Sequence, residues 1–365
     1  YREREEDMSI KKIAEKVGAS PATVSRVLNN PDYRCSKPEL RDQIWKAAIE
    51  LNYTPNVAAR NLKLGVGSQE QKIVYVNVLM TRADARETDP FFSEILHVIE
   101  TEIHKSGCIL SNLWYRSLFS NDARCEMENI DRVISGMYEE TDGKSDGLII
   151  VGRCNRRAIE KFCKVFGNVV TVNRNSSDYA VDEVLCDGRK IASMAVEYLY
   201  ELGHRKIGYV GECKGEIRYS GYVETLTSHG LEPMPQYVIP TRQTEADGYD
   251  SMMRFLQSDD CPTGIYCAND ITAIGMLKCL HKFKNHYPRP SIIASDDIEE
   301  AQFSKPMLTT VRVPRNEMGR FAVRLLLDRI SGGHHSVVRM EMESRLMIRE
   351  SCQNVSDSMW SDYCI

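Results

Sequence analysis

No run of about 18 or more apolar residues occurs in this chain, the length a helix needs to cross a bilayer, so a membrane-spanning protein is not expected. The N-terminal YREREED is charged and no apolar core follows it, so a secretory leader is not expected either. Met8 reads as an alternative start, with residues 1–7 as an upstream extension that has no fold of its own. Twelve cysteines are present, yet none forms a CxxC pair and none clusters with zinc-ligand spacing. A disulfide framework and a structural metal are therefore not expected, and the thiols read as free in a reducing cytoplasm. A nucleophile elbow, a phosphate loop and paired metal ligands are also missing, so enzyme classes lose their usual signatures. The one glycine-rich stretch, GVGSQ near Gly65, is short and lacks a following helix. Neither a cofactor nor a metal is expected.

The chain has 365 residues, room for two or three domains of about 100–200 residues each. The net charge of −5 hides an asymmetry. Residues 8–65 are net positive and the remainder is net negative. A basic head on an acidic body suits a protein whose head alone meets a polyphosphate.

Residues 9–17 place Ile10, Ile13, Ala14 and Val17 at helical spacing, and Gly18 breaks the run. Ser20 suits an N-cap and Pro21 the first helical position. A second helix follows through Leu28, with Val24, Val27 and Leu28 on one face. Ser36 and Glu39 form a capping box that opens a third helix to about Leu51. Two short helices across a tight glycine turn, then a longer one, make a helix-turn-helix unit. A three-helix bundle without a DNA role has the same pattern, so periodicity alone leaves both open.

From Lys72 the texture changes to alternating strand and helix. The expected strands are 73–80, 108–113, 147–151, 169–172, 206–210, 237–239, 264–267 and 291–295. The expected helices lie near 92–105, 123–140, 155–166, 188–202, 219–229, 247–257, 270–283 and 315–331. Such alternation implies parallel sheets covered by helices on both faces, as one barrel or two doubly wound lobes. Residues 337–348 alternate (VVRMEMESRLMI) and read as a closing hairpin or edge strand.

Several stretches together resemble the lactose/galactose repressor (LacI/GalR-type) family of bacterial transcription regulators. In the head these are ASPATVSRVLNN and LNYTPNVAARNL. In the body they are DPFFSEIL, DGRKIASMAVEYLYELGHRKIGYVGE, RYSGY, CANDITAIGML, ASDDIEEA and PMLTTVRVPRNEMGRFAVRLLLDRI. The resemblance spans roughly residues 8–349. It implies an α/β protein with a helix-turn-helix head (8–54), a hinge helix and linker (55–71), a two-lobed, periplasmic-binding-protein-type effector and dimerisation domain of doubly wound parallel sheets (72–349), and a tail (350–365). The implied function is a sequence-specific transcription regulator, a repressor, with no enzymatic activity. The implied partners are a near-palindromic double-stranded DNA operator, a second copy of the chain, and a small-molecule effector, a sugar first and a nucleobase or nucleoside as the alternative.

Site residues follow from the same match. Pro21, Ala22 and Arg26 fall at the family's base-reading positions. Arg26 has the fork that matches guanine O6 and N7, and Ala22 suits a thymine methyl. Thr23, Ser25 and Asn29 suit phosphate contacts that set register, and Ser20 is a further expected DNA contact. Pro55 begins a hinge helix, Asn56–Lys63, whose Ala58 and Ala59 permit close backbone approach and whose Leu62 is the minor-groove wedge. Asn56, Ala59, Leu62 and Lys63 are the hinge's expected DNA contacts. In the body, the expected effector residues are Phe91, Phe92, Asn173, Arg218, Asn269 and Asp296, at strand ends facing a cleft. The charged loop MTRADARETDPFF is longer than the family's usual first loop. Asn173 stands where many relatives carry Asp, and Val313 where some make a polar ligand contact.

Overall fold

The computed structural model describes residues 2–29, five positions between 40 and 48, and 73–355 apart from 85–89, 178 and 284–288. Two compact units emerge, Tyr1–Lys72 and Ile73–Ile365.

In the first unit, α1 (Arg2–Val17) and α2 (Pro21–Asn29) are separated at Gly18, which sits at φ +65°, a conformation costly for any residue with a Cβ. Ile13, Ala14, Val24, Val27 and Leu28 are buried in one cluster with Ile44, Ala47 and Ala48, which lie in a third helical stretch. One expectation is corrected here. Within the expected extension, residues 2–7 are not unfolded but belong to the start of α1. Glu3, Arg4, Glu5 and Glu6 are good helix formers, and nothing between them and Ile10 stops the helix.

The second unit holds two six-stranded sheets. Lobe 1 contains β1 (Tyr75–Met80), β2 (Ile109–Tyr115), β3 (Gly147–Val151), β4 (Val169–Asn173) and β5 (Asp182–Leu185). Its helices are α3 (Pro90–Lys105), α4 (Asp122–Met127), α5 (Ile130–Glu139) and α6 (Arg156–Phe166). Lobe 2 opens with α7 (Gly188–Glu201), followed by β6 (Ile207–Gly211), α8 (Ile217–Ser228), β7 (Val238–Pro240), α9 (Glu245–Leu256) and β8 (Gly264–Cys267). It continues with α10 (Asp270–Lys282), β9 (Ser291–Asp296), α11 (Glu300–Phe303) and β10 (Thr309–Arg312). The chain then returns to lobe 1 as α12 (Arg315–Ile330), packed on α3, and β11 (Arg339–Glu341), and crosses a last time to lobe 2 as β12 (Arg345–Met347).

The sheet orders are β11-β5-β4-β3-β1-β2 and β12-β10-β9-β8-β6-β7, so the lobes repeat one topology and the barrel alternative falls away. All pairings are parallel except β10 with β12. In each sheet the strand order reverses beside the first strand, β1 or β6, and ligands of such sheets bind outside the strands' carboxyl ends at that point.

The segment 337–348 is neither a hairpin nor a single edge strand: β11 joins β5 in lobe 1 and β12 joins β10 in lobe 2. The expected helix 123–140 is two helices. Asn129 interrupts it, its side chain accepting from the Arg132 N–H as the cap of α5. β5 and β10 were not expected as strands. The start of the expected tail is built into lobe 2. Ser351 is buried between Ile292 and Thr309, and the Gln353 carbonyl accepts from the His204 ring at 3.0 Å.

Candidate functional site

The head presents one face of α2 outward. Val24, Val27 and Leu28 are committed to the core, which leaves Pro21, Ala22 and Arg26 exposed and Thr23 and Ser25 half-exposed. Ser20 caps the helix: its Oγ accepts from the Thr23 N–H at 3.1 Å and lies 2.8 Å from the Thr23 hydroxyl. Ser20 thus has the capping task expected of it as well as the expected DNA contact. Asn29 ends α2. Asn56, Ala59, Leu62 and Lys63 lie outside the described residues.

In the second unit a cleft opens between the carboxyl edges of the two sheets. Its inner cavity, about 150 Å³, is lined by Arg82, Phe92, Asn173, Arg174, Glu212 and Arg218 among others. An adjoining cavity of about 510 Å³ shares Arg153, Asn173, Asn175 and Glu216 and reaches Arg156, Ser176, Ser177 and Ser220. Backbone geometry shapes both. Gly152 sits at φ +98°, and a Cβ there would lie 2.7 Å from Thr81 Oγ1 and 2.9 Å from Arg82 Cγ, so only glycine lets Arg82 lie against the end of β3. Gly215 in lobe 2, at φ +67°, a conformation that favours glycine, faces the Arg153 guanidinium of lobe 1 across the cleft.

Buried charge on the lobe 2 wall is paired. Arg218 is 2% exposed. Its Nε donates to Glu216 Oε1 at 2.8 Å, its Nη2 to Glu216 Oε2 at 3.0 Å and to Gln243 Oε1 at 3.3 Å, and its Nη1 to the Ala268 carbonyl. Burial pushes the Glu216 carboxyl up, but the Arg218 charge and its hydrogen bonds outweigh that and bring it down to about 2. Gln243 is held at φ +66°, its carbonyl accepts from Asn269 Nδ2 at 3.0 Å, and its Nε2 finds no partner among the described residues.

A second pair joins the lobes. Arg174 at the end of β4 meets Asp296 at the end of β9 at 2.6 Å, both nearly buried. The Arg174 guanidinium carbon lies 3.9 Å from the centre of the Phe91 ring, a cation–π distance. Arg315 adds a further tie. It donates to Glu94 of α3 at 2.7 Å, to the Asp297 carbonyl at 2.9 Å, and to the Asp296 carbonyl.

The chain matches the model described as bacterial regulatory proteins, lacI family, over residues 9–56, and that described as periplasmic binding protein-like domain over 196–352. The HTH-type transcriptional repressor MelR of Bacillus subtilis (strain 168) is 30% identical over 354 residues, 94% of this chain and 97% of the relative. The chain belongs to the lacI family. A second family member, the HTH-type transcriptional repressor CytR of Escherichia coli (strain K12), is 31% identical over 361 residues, 96% of this chain and 98% of that one. Among solved structures, a LacI family transcriptional regulator from Enterococcus faecium with bound ribose is 25% identical, covers 77% of this chain and 99% of its own, and superposes with a TM-score of 0.62. As a lacI-family protein, the chain is a DNA-binding transcription regulator with an effector domain, and its relatives are repressors rather than enzymes.

Within this family frame the expected effector residues separate into groups. Phe92, Asn173 and Arg218 line the inner cavity. Phe91 is beneath Arg174 and 2% exposed. Asp296 faces Arg174. Asn269 is one step back, capping α10 by accepting from the Thr272 N–H at 3.2 Å and steadying Gln243. Sequence reasoning missed Arg82, Arg153, Arg174, Asn175, Glu216 and Gln243. Arg174 and Asn175 had a usable signal, since they directly follow Asn173 at the end of a recognised strand. Gln243 had none, because it lies between a strand and a helix in a segment with no motif.

Proposed function

We propose that this lacI-family regulator binds a near-palindromic operator as a homodimer, in the cytoplasm, and that a small polar effector held in the interlobe cleft sets its operator affinity. One head reaches one half-site, so a two-fold operator calls for two chains. The head's basic balance and the outward Pro21, Ala22 and Arg26 support the DNA half of this reading.

The observation that carries the effector half is the cleft's lining of mixed donors and acceptors. Asn173, Asn175, Ser176, Ser177 and Ser220 lie beside paired arginines and carboxylates. A sugar needs such an array, because each hydroxyl both donates and accepts. The relative with bound ribose supports the same class. A nucleobase or nucleoside is the second reading, favoured by the Phe91–Phe92 pair, since the ring of Phe91 already carries a flat guanidinium at stacking distance.

Thermal-shift screening of the full chain against sugars and purines tests the proposal, because a ligand bound only by the folded state raises the melting temperature. The expected outcome is a hit among one class that also changes operator affinity. A hit that leaves operator affinity unchanged contradicts the reading.

A further inference from the structure

The Arg174–Asp296 pair links two elements that nothing but the cleft separates. Arg174 leaves the end of β4 in lobe 1, and Asp296 leaves the end of β9 in lobe 2. Both side chains are more than nine-tenths buried, and the guanidinium lies over the Phe91 ring while its Nη2 meets the carboxylate. That is how a site holds a flat polar ligand: an apolar ring against it and a charged acceptor for its N–H. The receiving segment is also strained. Asp296 sits at φ +132° and Asp297 at φ +56°, values rare for residues with a side chain. It is held by arginines: Arg315 from lobe 1 on both carbonyls, and Arg312 and Arg349 on the Asp297 carboxylate.

We propose that Arg174 is a built-in competitor for the effector: its guanidinium takes the place between Phe91 and Asp296 that a ligand would use, and in doing so it bolts the lobes together. The inference rests on the proposed effector role of the cleft. A ligand that donates to Asp296 Oδ1 must displace Arg174 from it. The apparent affinity is therefore lowered by the fraction of molecules in which the bolt is closed. The best ligand is one that returns both losses, donating to Asp296 and accepting from Arg174. Arg174 thereby becomes a specificity-determining residue, selecting ligands with a donor and an acceptor on adjacent atoms over those with a donor alone.

The test needs no knowledge of the effector. In the full-length Arg174→Ala chain, methylguanidinium, a copy of the missing group, should bind in its place. At about 10 mM it should raise the melting temperature of Arg174→Ala by about 2 °C or more. It should leave the wild-type chain unmoved and should do nothing for Arg174→Ala/Asp296→Asn. No response in Arg174→Ala, or the same response in the double variant, overturns the proposal. Should Arg174→Ala not fold, Asp296→Asn alone serves through amide hydrogen exchange. Faster exchange at residues 296–298 and at the ends of β4 and β9 supports the bolt, and unchanged exchange overturns it. A methylguanidinium rescue in a chain whose operator affinity no cleft ligand changes would leave the bolt standing and sink the effector reading instead.

Discussion

Removing the Arg218 side chain would leave the Glu216 carboxylate buried without its counter-charge, a cost separate from any lost ligand contact. Arg218→Ala should therefore lower stability by about 3–5 kcal/mol in urea denaturation, and Arg218→Ala/Glu216→Ala should lower it by clearly less. A double variant as unstable as the single one would show that Arg218 acts through something other than this pair. On the DNA side, Arg26→Ala should cost roughly 1–3 kcal/mol and relax preference at one position per half-site. Titrating single-base operator variants checks this, and a loss uniform across all of them would mark a phosphate contact instead. At this scale the sequence was informative where a side chain follows a recognisable strand, as at Asn173, or falls inside a motif, as at Arg218. It was silent where the partner is distant in sequence. Nothing near Arg174 announces Asp296, which is more than a hundred residues away in the other lobe.

Among the elements, α10 begins with an ionisable group in an unusual place. Asp270 is fully buried, and burial pushes its carboxyl up to about 6 against hydrogen bonds from the Thr310 hydroxyl at 2.6 Å and the Ile298 N–H at 2.9 Å. Because the folded-state value exceeds the unfolded one, the folded state binds the extra proton. This group's contribution is most favourable below about pH 4 and worsens by about 3 kcal/mol as pH rises past 6. Across pH 4–7 the stability of the wild-type chain should fall relative to that of Asp270→Asn, and equal slopes in the two chains would contradict the assignment. The elements that were hard to read have a common cause. β5 carries Asp182 and Glu183 and so has no apolar strand signature. Its charges are met only in the folded chain, Asp182 by Arg329, His334 and the Val338 N–H, and Glu183 by Arg339. β10 contains two buried threonines, Thr309 and Thr310, whose hydroxyls bond to distant groups. The three-residue strand β11 alternates as expected and β12 does not, with Leu346 and Met347 both half-buried, but alternation cannot name a partner, and their partners lie in different lobes. By contrast β3 and β8, short apolar runs bounded by glycine or turn residues, stood where expected.

For the whole molecule, an effector shifts operator affinity only through a difference in how well it binds two arrangements of the lobes. The interlobe ties through Arg174 and Arg315 are where those arrangements would differ. The expected hinge helix, residues 56–63, is too short to be stable alone in water, so its folding should depend on its partner and on the minor groove. Leu62→Ala should then keep the ligand-induced rise in melting temperature yet lower operator affinity on the order of tenfold or more. Near-normal affinity would make the hinge a passive tether. The two-lobed architecture was legible because strand–helix alternation and long motifs run through most of the chain. The arginine ties across the cleft were not, because they depend on contacts between lobes rather than on any local pattern. The central claim is that operator and effector sites are coupled, and coupling in binding free energy is reciprocal. The most direct measurement is operator affinity by fluorescence anisotropy with and without a ligand found by thermal shift, paired with ligand affinity with and without operator. The account predicts that both affinities change by the same factor, and two sites that titrate independently would contradict it.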